Sequence, residues 1–157
     1  MLKRCVVFFM SFFLICISIS SYAQEKSTDR IVSERFIAQI DPSSWIKESF
    51  KVSPDSKRVA YAAGVGDKWF VVVDGKEEKQ YDGIGEGTPI FSPDSKRVAY
   101  AAQVGNKRFV VVDGKEEKQY DGIVTIGGGR IVFDSSDSLH YLALKGKGIF
   151  LVEERIK

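Results

Sequence analysis

Trp69 and Arg108 stand at the same place in two nearly identical stretches of this chain. The stretch "SPDSKRVAYAAGVGDKWFVVVDGKEEKQYDGI" (53–84) returns as "SPDSKRVAYAAQVGNKRFVVVDGKEEKQYDGI" (92–123). Three positions differ: Gly64 against Gln103, Asp67 against Asn106, and Trp69 against Arg108. All three fall within a few residues around one turn. Trp and Arg are the residue types most often found as binding hot spots. The candidate chemistry is therefore recognition, at a rim made of Asp67, Trp69, Asn106 and Arg108. A position that takes either Trp or Arg belongs at the surface. Drift in an exposed loop, which tolerates change, is the plainer account of the same differences.

Other residues offer less. Asp55, Asp94, Asp74 and Asp113 recur at "PD" and "DG" corners, where turn chemistry accounts for them. Asp82 and Asp121 recur as well. A calcium loop needs closely alternating oxygen ligands, and the chain has no such run. His140 is the one histidine, so no pair of histidines can hold a metal and no Cys–His couple is expected. Glu77-Glu78 and Glu116-Glu117 are adjacent on a strand and point to opposite faces, so neither pair can work on one substrate. The glycines of 83–87 and 127–129 lead into no helix, which argues against a phosphate loop and for linkers between units. A Ser–His–Asp triad is left open, but no nucleophile elbow is present. We expect no catalytic residue, no metal and no cofactor.

The elements that must position the rim are strands. Ser53 recurs as Ser92, Asp74 as Asp113 and Ile84 as Ile123, a period of 39 residues. Such periods mark arrays of stacked units. In the second copy, "TPIF", "RVAYAAQV", "RFVVVD" and "KEEKQ" read as four strands joined by short turns. Asp113-Gly114 is a tight hairpin signal. The second strand is apolar on both faces, which predicts cover on both. The fourth is charged, as an outer edge should be. Tyr81 and Tyr120 close that strand and are expected to be half-exposed. A degenerate third copy follows: Phe133, the turn "DSSDS", Tyr141 in the place of Tyr100, and Ile149 to Val152 as third strand. The chain then stops before a fourth. The fold class is all-β, with tandem four-stranded antiparallel blade-like repeats forming a partial or open β-propeller.

"FSPDSKRVAY" (Phe91 to Tyr100) resembles the WD40-like, PD40-type propeller repeat family, whose usual form is F-S-P-D-G-K-x-I/L-A-Y/F and which includes the repeats of the periplasmic TolB-type propeller. The resemblance covers Trp45 to about Ile123 well and speaks to fold, not function. In the first copy Val52 replaces the Phe. Ser56 and Ser95 replace the usual Gly; if that position is left-handed, Ser costs about 1 kcal/mol there. The units divide as 45–84, 85–123 and an incomplete 124–157, preceded by a segment 24–44. Within that segment "RIVSERFIAQID" suits a helix, with Val32, Phe36 and Ile40 on one face, or a strand, with Phe36, Ala38 and Ile40 alternating. A strand is preferred, by analogy with propellers in which such a segment often completes the final blade by pairing across the chain ends; it would serve as a capping strand. Propellers usually take four to eight blades, and end units expose apolar faces unless capped. The expected outcome is an open stack, capped by the N-terminal segment and open to self-association through its exposed blade faces.

Residues 1–23 carry Lys3 and Arg4, an apolar run from Cys5 to Ile19, and the small residues Ser21 and Ala23. This is the layout of a secretory signal peptide cut after Ala23. The run is short for a membrane anchor, and Ile15 before Cys16 argues against a lipoprotein. Both cysteines lie in this segment, so the mature chain has no disulfide. All 21 acidic residues follow Ala23 and two of the 23 basic ones precede it, which leaves the mature chain without formal net charge. A nucleic-acid or anionic-membrane partner needs a basic excess, so neither is expected, nor is membrane insertion after cleavage. The reading is an exported, periplasmic or secreted, non-catalytic module that binds a protein or cell-envelope component. The alternative is a structural or vestigial propeller fragment, and a hydrolase is the least favoured.

Overall fold

Two hairpins nearly identical in sequence set the architecture. In the computed structural model, which describes residues 31–157, β2 (Val59–Val65) pairs with β3 (Lys68–Val73), and β7 (Val98–Val104) pairs with β8 (Lys107–Val112). Gly66 and Gly105 adopt positive φ at the tips, where a Cβ would be strained. β1 (Lys51–Val52) and β4 (Lys76–Glu77) flank the first hairpin, giving the order β1-β2-β3-β4. Asp74-Gly75 and Asp113-Gly114 turn into the fourth strands with φ of 52°, 82°, 50° and 78°, the two successive positive values of a type I′ turn. The protein is all-β, built from consecutive antiparallel blade-like sheets of this kind.

The expected unit boundaries shift. β5 (Gly83–Ile84), assigned above to the first unit, pairs with β7 of the second sheet, beside β6 (Ile90–Phe91). β9 (Lys115–Glu116) closes that sheet. β10 (Gly122–Ile123) likewise pairs with β12 (Ser138–Lys145) of the third sheet, alongside β11 (Val132–Phe133) and β13 (Gly148–Arg155). The first sheet has the same start: Ser44 O accepts from Gly64 N–H, and Trp45 bridges Ala63. Each blade thus begins at Ser44, Gly83 or Gly122. Its innermost strand is split in two by a loop, and in the second and third blades the first half is supplied directly by the exit of the preceding blade. The run 83–87 is therefore not a simple linker, since Gly83 and Ile84 carry ladder hydrogen bonds, and 127–129 is a turn inside the third sheet, between β10 and β11.

Stacking supplies the core. Ala60 and Val71 of the first blade pack against Tyr100, Phe109 and Val111 of the second. Ala99 and Val110 of the second pack against Leu139, Tyr141 and Ala143 of the third. Ala60 to Ala63 and Ala99 to Ala102 are all buried, as cover on both faces requires. Burying one such Val or Phe side chain contributes about 1.5–3 kcal/mol. The third blade keeps the repeat register: Tyr141 faces Val152 as Tyr100 faces Val111. Among the described residues β13 is the outer edge of this sheet.

Over the described part of 24–44, residues 31–44, the expected capping strand is not formed. Residues 31–40 have no regular secondary structure, and 24–30 lie outside the described residues, as does the signal-peptide reading of 1–23. Pro42 and the Asp41 carboxylate break the segment: Asp41 takes the Ser43 N–H at 2.9 Å and the Ser43 hydroxyl at 2.7 Å. The cap is made of side chains instead. Ile40, Trp45 and Phe50 cover Tyr61, Ala63, Phe70 and Val72 on the first blade's leading face. Trp45 meets both Phe50 and Tyr61 edge-on, with centroids 6.1 and 6.2 Å apart.

Candidate functional site

The rim residues fall at two kinds of place. Asp67 and Asn106 sit at the hairpin tips, exposed and without side-chain hydrogen bonds among the described residues. Trp69 and Arg108 sit one strand position further in, each on the face its blade turns toward the next. Trp69 lines a groove of about 480 Å³ between the first and second blades, with Ile46, Ala62, Ile84 and Gly85. Arg108 lines a groove of about 400 Å³ between the second and third, with Ala101, Gln103, Ile123 and Thr125. The two grooves are related by the 39-residue repeat. The structure therefore brings Trp69 and Arg108 to equivalent walls of successive grooves, not into one site.

Two of the three differences between copies are one cross-strand pair. Gly64 lies opposite Trp69, and Gln103 opposite Arg108. A Cβ at Gly64 would come within 3.2 Å of Trp69 Cε3, tighter than ordinary van der Waals contact. The indole lies over the glycine because nothing else is there. In the second blade Arg108 Nε donates to Gln103 Oε1 at 3.2 Å. A small residue accommodates a large ring in one copy, and two polar chains pair in the other. The groove chemistries differ accordingly. The first has an aromatic wall, 38% exposed, with Glu48 and Glu86 also lining it. Neither glutamate has an ion pair among the described residues. The second presents a guanidinium.

Polar latches hold the blades in the alignment that forms these grooves. Asp82 leaves the first blade, accepts from Lys68 Nζ at 2.6 Å, and takes the Gly105 N–H of the next hairpin tip at 2.6 Å. Asp121 repeats this with Lys107 and the Gly146 N–H, at 2.6 and 2.7 Å. The lysine bond first, and the amide after it, hold both carboxyls below their usual range. Across the stack, Arg58 pairs with Asp74 at 2.7 Å and reaches the Ser95 carbonyl of the second blade at 3.0 Å. Its guanidinium also lies over Phe91, 5.5 Å from the ring centre. That contact gives Phe91 its place; Val52, its counterpart, is half-exposed. Tyr100 donates to Glu78 Oε2 at 2.7 Å, joining the same two blades.

Tyr81 and Tyr120 differ from expectation. They are 1% and 7% exposed. Tyr81 bridges back to Trp69 through paired backbone bonds, and its ring is wedged against Tyr100 and Phe109 of the next blade. Sequence reading placed them at an edge because the strand there is polar; the wedge depends on the neighbouring blade. Burial pushes the Tyr81 hydroxyl up to about 12.

Sequence reasoning also missed an Asp–His pair. His140 Nδ1 lies 2.8 and 2.9 Å from the two oxygens of Asp134, across the β11–β12 turn. The six-residue separation spanning a hairpin was the available signal. Among the described residues no hydroxyl is bonded to His140, so the pair has no attached nucleophile. Nor do three His, Cys, Asp or Glu side chains gather there in a metal-holding group. Ile149, expected only as part of a strand, is the third member of the rim series: it faces Leu144 as Arg108 faces Gln103. Compared with protein-family models, curated proteins and solved structures, the chain matches none of them.

Proposed function

We propose that this chain is an exported, non-catalytic β-repeat module that binds a protein or cell-envelope component at its two inter-blade grooves. The observation that carries the reading is that the three differences between 53–84 and 92–123 all fall at one hairpin end, where Trp69 and Arg108 wall the two grooves. Trp69 with Glu48 and Glu86 suits an apolar or cationic side chain. Arg108 suits a carboxylate. Sheets stack about 10 Å apart, so one partner can present unlike groups to both grooves. The repeats fit the WD40-like, PD40-type pattern, and the leader at 1–23 supports export. Among the described residues no helix is long and apolar enough to cross a membrane.

The test is capture from a cell-envelope extract by the purified protein and by Trp69→Ala/Arg108→Ala. A partner retained by the parent and lost by the double variant supports the reading. Equal retention by both moves binding away from the grooves, and no retained partner favours a structural fragment.

A further inference from the structure

The trailing face of the third blade carries Leu142, Leu144, Ile149 and Leu151, which are 39%, 38%, 70% and 60% exposed. Register gathers them: Leu142 is opposite Leu151 and Leu144 opposite Ile149. Their counterparts in the second blade are Ala101 opposite Val110 and Gln103 opposite Arg108. Ala101 and Val110 are buried under the third blade. A sheet face that meets water is ordinarily polar. Here the equivalent positions hold larger aliphatic chains instead. Only the far half is polar, where His140 and Glu153 stand in place of Ala99 and Val112. A contiguous exposed apolar patch bordered by polar residues marks an interaction surface.

We infer that the occupant is a second copy of the chain, packed third blade on third blade about a two-fold axis. The other end of the stack selects against a head-to-tail array. The leading face of the first blade is already covered by Ile40, Trp45 and Phe50, so a third blade has no free face to enter there. Charge sets the orientation. The β12–β13 hairpin tip carries Lys145 and Lys147, while the opposite end carries Asp134, Asp137 and Glu153 against Arg155 and Lys157. Lys145, Lys147 and Glu153 have no ion pair among the described residues. An antiparallel two-fold places each lysine tip on the partner's acidic end and the four aliphatic chains on their own copies. The patch is smaller than the roughly 800 Å² per partner of a standard interface, so the dimer is weak, with a Kd of about 10–100 µM.

Sedimentation equilibrium of the purified protein over a range of concentrations spanning that Kd tests this. The expected result is a monomer–dimer equilibrium, weakened at least about tenfold by Leu151→Glu, whose side chain faces solvent in the monomer. Glu153→Lys weakens it too, and adding Lys145→Glu with Lys147→Glu restores it. A protein monomeric at every concentration overturns the inference. So does a dimer indifferent to Leu151→Glu, a charge-reversed triple variant that stays monomeric, or a different protein held on this face in place of a second copy.

Discussion

The hydroxyl of Ser95, in the second blade, accepts the backbone N–H of Asp55, in the first, at 3.0 Å. Both Ser95 and its counterpart Ser56 are left-handed, with φ of 65° and 58°. That conformation favours glycine, so both serines carry strain, but only Ser95 returns a bond between blades.

The two positions should therefore respond in opposite directions to the same change. Ser56 is exposed and makes no side-chain hydrogen bond among the described residues. Ser56→Gly should raise stability by up to about 1 kcal/mol, or a few degrees in Tm. Ser95 is 4% exposed; Ser95→Gly leaves the Asp55 amide unpaired and should lower Tm. Thermal melts of both variants decide it, and equal shifts of either sign would remove the distinction.

Glu154 makes the third blade pH-sensitive. Burial first, then the neighbouring Glu117 carboxylate, push its carboxyl up to about 7, with Lys115 opposing. The folded protein then holds a proton that the unfolded chain, at about 4.3, has lost. Stability from this group is full below the unfolded value and falls as pH rises through about 7. Glu154 is only partly buried, so the loss is on the order of 1 kcal/mol after screening. Tm should fall between pH 5 and pH 8, and Glu154→Gln should flatten the slope. A slope unchanged by that substitution would assign the effect to another group.

Gly64 and Trp69 should behave as a coupled pair. Gly64→Gln presses a Cβ onto the indole and should cost about 1–2 kcal/mol alone. Combined with Trp69→Arg, it recreates the Gln103–Arg108 pair of the second blade and should recover most of that loss. Urea unfolding of the single and double variants gives the coupling energy; strict additivity would mean the two differences arose independently of packing.

Tyr100→Phe should destabilise by about 1–2 kcal/mol, because the Glu78 carboxylate loses its partner between the first two blades. Tyr61→Phe, whose hydroxyl makes only a 3.4 Å contact to Gln39 O, should cost less. Chemical denaturation ranks the two, and the reverse order would locate the stabilising polar contact at the cap rather than between blades.

Residue patterns alone specified the strands, their turns and the stacking. "RVAYAA" is apolar on both faces, so it needs cover on both. Asp74-Gly75 and Asp113-Gly114 suit only a tight turn. The strained site of Ser56 was visible because glycine is the usual occupant in similar repeats. The exposure of Trp69 and Arg108 followed from their interchange between copies. These are local constraints, read within a few residues of the chain.

Tertiary structure decided what lies between blades. Gly83 and Ile84 read as a linker because their ladder partners are β7 residues of the following unit, about twenty positions away. Tyr81 read as an edge residue because the blade that buries it is the next one along. Trp69 and Arg108 wall separate grooves because each faces its own successor. An identical sequence meets different neighbours in each copy: the first blade meets the aromatic cap, the second meets the third, and the third meets solvent. Burial and pairing across a stack are properties of the assembled neighbours, and no single repeat encodes them.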